Sequence, residues 1–213
     1  MSQPAEAVFA IMTLGAVIPV LTVRDAKDGV AQARALVAGG LPAIEVTLRT
    51  ANALDAIRAI AAEVEGAVVG AGTIVKPEQI DQALRAGARF LVSPGVYPHL
   101  ARAAFDAPVP FLPGAATASE AMALQDLGFT ALKLFPAEAA GGVKLLSSLA
   151  APLPDLRFCP TGGIDLAKAP TYLALPNVLC VGGSWMLPKA ALEAGDYATV
   201  ERLAREASGL KAE

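Results

Sequence analysis

The sequence predicts an α/β protein that forms a single (β/α)8 barrel, in which short parallel strands alternate with helices. Short apolar runs alternate with alanine-rich helical patterns along all 213 residues, giving about one strand–helix unit every 25–30 residues. A helix end, a glycine and a strand start recur at 37–44, 84–91 and 127–132. No linker or change of composition divides the chain. We therefore expect one domain over 1–213, with a short helix before the first strand.

The order of the elements follows from the strand runs and from the residues at helix ends. The first helix is predicted to end at Gly39-Gly40, and the third to begin at Lys76-Pro77. An open doubly wound sheet is the alternative, but it favours a glycine-rich turn after the first strand, which 22–26 lacks. Strands are expected at 17–23, 43–48, 67–71, 90–93, 109–112, 131–135, 156–159 and 178–181, and helices at 26–38, 52–64, 76–87, 99–105, 119–127, 143–149, 166–173 and 198–207.

Composition and charge argue against several classes of protein. The net charge is −3 and no basic patch is present, so the sequence predicts no nucleic-acid partner. Proline, asparagine and glycine interrupt the longest uncharged stretch, so no membrane partner is expected either. Cys159 and Cys180 lie in apolar segments and are expected to be buried, reduced thiols of a cytoplasmic protein. His99 is the single histidine, which argues against a His/Cys zinc site, whereas a magnesium site with oxygen ligands stays open.

Lys133 is the most informative residue of the sequence. It stands in the apolar run 131–135, whereas the other six lysines fall in polar helical or loop stretches. Burying an ammonium group there costs several kcal/mol unless it loses its proton or finds a partner. One interpretation is a lysine at a strand end that reaches solvent or pairs with Glu138. The other is a nucleophilic lysine that forms a Schiff base with a ketone.

Polar side chains also lie at the carboxyl ends of the second and third predicted strands. Strand alternation places Glu45, Thr47 and Arg49 on one face, so two charges lie on the same side of an apolar strand. These charges form either a structural Glu–Arg ion pair or part of a functional site. Gly72 and Thr73 end the third strand, where glycine allows close approach of a ligand and threonine offers a hydroxyl.

Two glycine-rich loops follow the last two predicted strands. They are the stretches 161–165, which contains Gly162-Gly163, and 182–185, which contains Gly183 and Ser184. Loops at these two positions bind phosphate in (β/α)8 barrels through free backbone N–H groups. Neither loop contains lysine or arginine, so amides and the Ser184 hydroxyl would hold the anion.

Together these residues indicate chemistry on a phosphorylated 2-keto acid. A lysine and a ketone form an imine, which acidifies the adjacent carbon, and a carboxylate can then move protons. Arg49 and Thr73 suit a substrate carboxylate, because guanidinium binds carboxylate in a bidentate manner. The residues therefore point to cleavage or formation of a carbon–carbon bond.

The same segments resemble the 2-keto-3-deoxy-6-phosphogluconate (KDPG) aldolase family, whose members also act as 4-hydroxy-2-oxoglutarate aldolases. The resemblance implies a (β/α)8 fold, a class I mechanism, a homotrimer, and no metal or other cofactor. It departs at Leu134, where relatives often carry phenylalanine, and at 113–117, which lacks a common serine. It extends from Ile18 to Trp185 and rests on 44–50, 70–73, 93–95, 133–138 and 158–163.

The resemblance implies a role for each candidate site residue. Lys133 would form the Schiff base, and Glu45 would be the general acid and base, working through water. Arg49 and Thr73 would hold the pyruvyl carboxylate. The pocket walls would be Pro94 and Phe135, and the distal part of the substrate with its phosphate would meet Thr161, Gly162, Gly163, Gly183 and Ser184.

The implied reaction releases pyruvate and glyceraldehyde 3-phosphate, as in the Entner–Doudoroff pathway. Three alternatives remain open. The substrate could be the galactonate epimer or unphosphorylated 4-hydroxy-2-oxoglutarate. The barrel could instead be a phosphosugar isomerase or epimerase, which would need a second carboxylate or a metal site. A non-catalytic protein that binds phosphorylated metabolites would have no use for a buried lysine.

Overall fold

The computed structural model describes residues 5–210, so 1–4 and 211–213 of the predicted domain lie outside the described residues. All strand pairs in the described residues are parallel. The strands are β1 (Val17–Leu21), β2 (Ala43–Thr47), β3 (Val68–Gly72), β4 (Leu91–Val92), β5 (Phe111–Leu112), β6 (Gly114–Ala115), β7 (Ala131–Leu134), β8 (Arg157–Pro160) and β9 (Val181–Gly183).

The strands form two parallel sheets, in the orders β5-β4-β3-β2-β1-β9 and β6-β7-β8. The predicted fifth strand, 109–112, is reduced to β5, and the short strand β6, which was not predicted, follows after Pro113, which has no N–H group to donate to a neighbouring strand. Isolated parallel bridges join Phe158 to Val178 and Thr161 to Gly182. This arrangement of parallel strands, in which every strand except β5 is followed by a helix, fits an α/β barrel fold.

The helices surround the strands, and most lie where the sequence predicts them. The exceptions are α7 and α10, of four and six residues, which are too short to show an apolar period. No helix between residues 5 and 210 has the length and apolarity that crossing a bilayer requires. The helices are α1 (Ala5–Met12), α2 (Ala26–Ala38), α3 (Ala53–Glu63), α4 (Pro77–Arg85), α5 (Pro98–Phe105), α6 (Ala118–Asp126), α7 (Ala137–Ala140), α8 (Gly142–Ala150), α9 (Ala169–Leu173), α10 (Lys189–Ala194) and α11 (Tyr197–Ser208).

The last strand shows the largest shift from the predicted boundaries, because it begins at Val181 rather than 178. Gly182 and Gly183 resemble a loop in sequence but lie in β9. A Cβ at Gly182 would overlap Thr161, and one at Gly183 would overlap the Trp185 ring. Glycine is therefore required at both positions, because side chains of neighbouring residues occupy the space that a Cβ would need.

Alternating strand residues divide the apolar core into two clusters. The larger cluster, which includes Ile44 and Val46, lies on the helix side of the strands. The smaller cluster contains the other strand face, including Ala43 and Cys159, together with Met12 of α1. Along β2 this second face continues from Ala43 to Glu45 and Thr47, so it changes from apolar to polar towards the carboxyl end of the strand.

Candidate active site

Lys133 of β7 and Glu45 of β2 form a buried ion pair across the fold. The Lys133 Nζ lies 3.1 Å from Oε1 and 3.2 Å from Oε2 of Glu45. Lys133 is 5% exposed and Glu45 3% exposed. The lysine therefore does not pair with Glu138, and Glu45 does not pair with Arg49, as the structural interpretations of these residues had allowed. Removing either partner would leave a buried charge uncompensated, which makes the two side chains interdependent.

Close backbone approach makes room for this pair. Gly72 stands so near Glu45 that a Cβ at Gly72 would overlap its carboxylate. Gly114 is in register with Lys133, and a Cβ there would overlap the backbone carbonyl of Pro94. The Lys133 Nζ also lies 5.5 Å from the ring centroid of Phe135. Gly72 thus leaves room for the Glu45 carboxylate, and Gly114 lets the Pro94 backbone pack closely against the strand beside Lys133.

Thr73 and Arg49 follow the carboxyl ends of β3 and β2. Thr73 has a φ of 63°, a left-handed conformation that is rare for a β-branched residue and costs on the order of 1–3 kcal/mol. Arg49 lines a cavity and is exposed. No carboxylate within residues 5–210 forms an ion pair with its guanidinium. An anion from outside the protein can therefore bind there.

We call the cavity beside Arg49 the glycine-loop cavity. Its volume is about 440 Å³. Lys133, Glu45 and Thr73 do not line it, and Pro94 lines a neighbouring cavity of about 610 Å³. Phe135 lines both cavities and also lies beside the buried lysine. The predicted site residues that line the glycine-loop cavity are Arg49, Phe135, Thr161, Gly162, Gly163, Gly183 and Ser184.

The loop after β8 has the geometry expected of an anion site. Gly162 and Gly163 have φ values of 106° and 79°, which favour glycine. In the part of the chain described, the N–H groups of Gly163 and Ser184 donate to no protein acceptor. Because these amides belong to residues that line one cavity, they offer it two unused donors.

A side-chain network holds this loop from outside the cavity. The Lys168 Nζ donates to the Gly163 carbonyl at 2.9 Å and lies 2.8 Å from Glu138 Oε2. The Tyr172 hydroxyl donates to Glu138 Oε1. Hydrogen bonds from Lys168 and then from Tyr172 lower the pKa of Glu138, so its carboxylate is ionised at neutral pH. The network connects the loop after β8, which contains Gly162 and Gly163 and which we call the glycine loop, to α7 and α9.

Comparisons with known proteins agree with this geometry. The model of the family described as "Aldolase: KDPG and KHG aldolase" matches residues 8–203. The chain belongs to this family. It is therefore an aldolase, a lyase. A KHG/KDPG aldolase of Escherichia coli K12 is 52% identical over 198 residues, which cover 93% of each chain.

Two solved structures of aldolases superpose on nearly the whole chain. One is the KDPG aldolase of Zymomonas mobilis ZM4 with 3-phosphoglycerate, at 46% identity and a TM-score of 0.92 over 97% of each chain. The other is the KDPG aldolase of Legionella pneumophila, with pyruvate captured at low pH as a covalent carbinolamine intermediate. It is 38% identical, with a TM-score of 0.92 over 98% of this chain and 99% of that chain.

Sequence reasoning missed three residues that lie in or beside the candidate site. Lys168 resembles an ordinary solvated lysine, and its contact with Gly163 appears only when the loop folds back. Gln32 and Thr22 line the glycine-loop cavity, although they lie in and before an amphipathic helix. Only the position of Gln32 on the buried face of α2 gave a signal in the sequence, because a polar residue there needs a partner.

Gly72→Ala should damage the aldolase through the Glu45 carboxylate. The new Cβ would overlap that carboxylate, so Glu45 must move away from Lys133. We expect a loss of about 1–3 kcal/mol in the free energy of unfolding, measured in urea, and a fall in turnover of about 100-fold. Gly15→Ala is the matched control, since its nearest contact would be 3.6 Å away. Equal behaviour of the two variants would contradict the close approach.

Lys168→Met should weaken the binding of an anion at the loop after β8 and leave the Lys133–Glu45 pair intact. The glycine loop would lose a donor to the Gly163 carbonyl and an ion pair. We expect the KM of a phosphorylated substrate to rise about tenfold, with kcat within about twofold. Lys189→Met is the control, because that side chain is 88% exposed. An unchanged KM would remove Lys168 from this role.

Proposed function

We propose that the chain cleaves 2-dehydro-3-deoxy-6-phosphogluconate into pyruvate and glyceraldehyde 3-phosphate through a Schiff base on Lys133. The observation that carries this proposal is the buried Lys133–Glu45 pair close to Phe135, which lines the glycine-loop cavity. Relatives named for this activity share about half of the sequence. The covalent pyruvate adduct in the Legionella enzyme supports the same chemistry here.

Lys133 first gives its ammonium proton to Glu45, and its neutral amine then adds to the C2 carbonyl carbon of the substrate. Glu45 returns the proton as water leaves, which gives an iminium ion that can accept the electron pair of the C3–C4 bond. Glu45 lies within proton-transfer distance of the amine and takes the C4 hydroxyl proton, through a water molecule. The C3–C4 bond breaks and glyceraldehyde 3-phosphate leaves. The electron pair of the broken bond stays on the fragment attached to Lys133, which becomes an enamine. Protonation at C3 and addition of water release pyruvate and restore the lysine.

The substrate ends are assigned by charge. Arg49 and Thr73 hold the pyruvyl carboxylate, and the guanidinium is supported in that role by its lack of a described ion-pair partner. The phosphate binds the free amides of Gly163 and Ser184, with Thr161, Gly162, Gly183 and the Ser184 hydroxyl beside them. Phe135 and Pro94 form walls on the side of the neighbouring cavity.

The same proposal extends to the closure of the barrel, the oligomeric state and the cellular compartment. The two sheets would be arcs of one closed eight-strand barrel, because only Pro113 separates β5 from β6 and a bridge joins Thr161 to Gly182. The family resemblance implies a homotrimer that uses no cofactor. The free, buried thiols of Cys159 and Cys180 support a cytoplasmic enzyme of the Entner–Doudoroff pathway.

The cleavage assay tests the substrate. Pyruvate release would be measured with the gluconate compound, its galactonate epimer and 4-hydroxy-2-oxoglutarate. 4-Hydroxy-2-oxoglutarate is the second candidate substrate, because the description of the family names KHG aldolases as well. We expect the highest kcat/KM with the gluconate compound. A galactonate preference, or a preference for the unphosphorylated compound, would overturn the substrate assignment, and no pyruvate from any of them would overturn the reaction.

A further inference from the structure

The most informative unused group in the molecule is the side-chain amide of Gln32. Gln32 lies on α2, is 0% exposed, and lines the glycine-loop cavity beside Ser184 and Arg49. A fully buried amide is destabilising unless both of its ends are hydrogen-bonded. Only one end of this amide has a partner among the described residues.

Asp28 fixes the orientation of the amide. The Gln32 Nε2 donates to Asp28 Oδ2 at 2.9 Å. Burial raises the pKa of Asp28, but hydrogen bonds from the Arg24 side chain and backbone outweigh burial, so that the pKa is lowered and the group is a carboxylate at neutral pH. A carboxylate only accepts hydrogen bonds, so the amide must turn its NH2 group towards Asp28 and its oxygen away.

Asp28 is itself held rigidly. Arg24 donates to it twice, through Nη2 at 2.7 Å and the backbone N–H at 3.0 Å. The hydroxyl of Tyr197, on α11, donates from 3.2 Å. Arg24 also donates to the carbonyl of Leu192, another residue that lines the cavity. The network therefore determines which way Gln32 points.

The Oε1 atom of Gln32 is left as an unused acceptor. It is buried and accepts no hydrogen bond from any residue between 5 and 210. The Arg49 guanidinium and the backbone amides of Gly163 and Ser184, which line the same cavity, are donors only. Donors suit the anionic ends of a substrate. An acceptor suits a hydroxyl group and discriminates against a ligand that lacks one.

We propose that Gln32 is a specificity-determining residue whose Oε1 accepts a hydrogen bond from the hydroxyl next to the phosphorylated carbon of the substrate. That hydroxyl is the C2 hydroxyl of glyceraldehyde 3-phosphate. This inference rests on the proposed aldolase reaction and extends it to the aldehyde half. Arg24, Asp28 and Tyr197 are positioning residues, which act by orienting the amide.

Aldol condensation with two aldehydes tests the inference. Pyruvate would be combined with glyceraldehyde 3-phosphate and with 3-oxopropyl phosphate, which keeps the phosphate but lacks the C2 hydroxyl. Gln32→Met has nearly the same volume and no acceptor oxygen. We expect kcat/KM for glyceraldehyde 3-phosphate to fall about tenfold and that for 3-oxopropyl phosphate to stay within about twofold. Gln82→Met, on the exposed face of α4, is the matched control and should leave both values unchanged.

The ratio of the two kcat/KM values separates this role from a structural one. An equal loss with both aldehydes, or no loss with either, would overturn the inference. Asp28→Asn should also lower the kcat/KM for glyceraldehyde 3-phosphate relative to that for 3-oxopropyl phosphate, because an amide at position 28 no longer fixes the orientation of Gln32. Trapping of pyruvate on Lys133 with borohydride checks the proposed function separately. A wild-type protein that forms no adduct rejects the reaction, whereas normal trapping with an unchanged ratio rejects only the role of Gln32.

Discussion

Lys133→Met should abolish cleavage, with kcat lowered by at least about 10⁴-fold. Methionine nearly fills the space of lysine but has no amine, so no imine forms and the C3–C4 bond keeps its full barrier. Pyruvate release from the phosphorylated substrate measures the loss. Retention of more than a tenth of the wild-type turnover would exclude Lys133 as the nucleophile.

The same variant should also be destabilised, and this effect needs its own control. Glu45 would remain buried, at 3% exposure, without its cation. We expect the free energy of unfolding to fall by about 3–5 kcal/mol. The double variant Lys133→Met with Glu45→Gln removes both charges, so it should recover much of this stability and none of the turnover. A folded but inactive double variant separates the loss of chemistry from the loss of the fold.

Glu45→Gln should lower kcat by about 10²–10⁴-fold and still allow pyruvate to be trapped, though more slowly. Glutamine keeps the shape of the side chain and an oxygen that can accept from the Lys133 Nζ, but it cannot take up a proton. Steady-state turnover and the rate of borohydride trapping, measured on the same preparation, separate the two effects. The nucleophile thus survives while the proton transfers fail.

A matched carboxylate gives the control for this variant. Glu63 pairs with Arg34 at 3.5 Å on the protein surface, and Glu63→Gln should leave turnover and trapping at wild-type levels. Unchanged turnover in Glu45→Gln would remove Glu45 from acid–base catalysis. Complete loss of trapping would instead show that Glu45 is needed to form the imine.

The strand pattern made the position of Lys133 predictable, since it is the one lysine of the sequence within an apolar run. Its partner was not predictable, because Glu45 lies 88 residues away in the sequence. Local reasoning offered Glu138 for the lysine and Arg49 for the glutamate, both close in sequence. The parallel strands bring together β2 and β7 instead, and Glu138 pairs with Lys168.

Residues that act through tertiary contacts were the ones that the sequence did not reveal. Lys168 and Gln32 lie in helical or loop segments whose local pattern indicates nothing unusual, and their roles depend on which loop or carboxylate they meet. The glycine-rich stretches were recognisable because positive φ values and close approach restrict those positions to glycine. The short strand β6 was not predicted, because Pro113-Gly114 resembles a turn in sequence.

Borohydride reduction in the presence of pyruvate tests the central claim most directly. The reagent reduces an imine to a stable secondary amine, which peptide mass mapping locates on the chain. We predict inactivation together with one reduced pyruvyl group per chain, on Lys133, and no such group in Lys133→Met. An adduct on another lysine, or none on a folded and active protein, would contradict the Schiff-base mechanism.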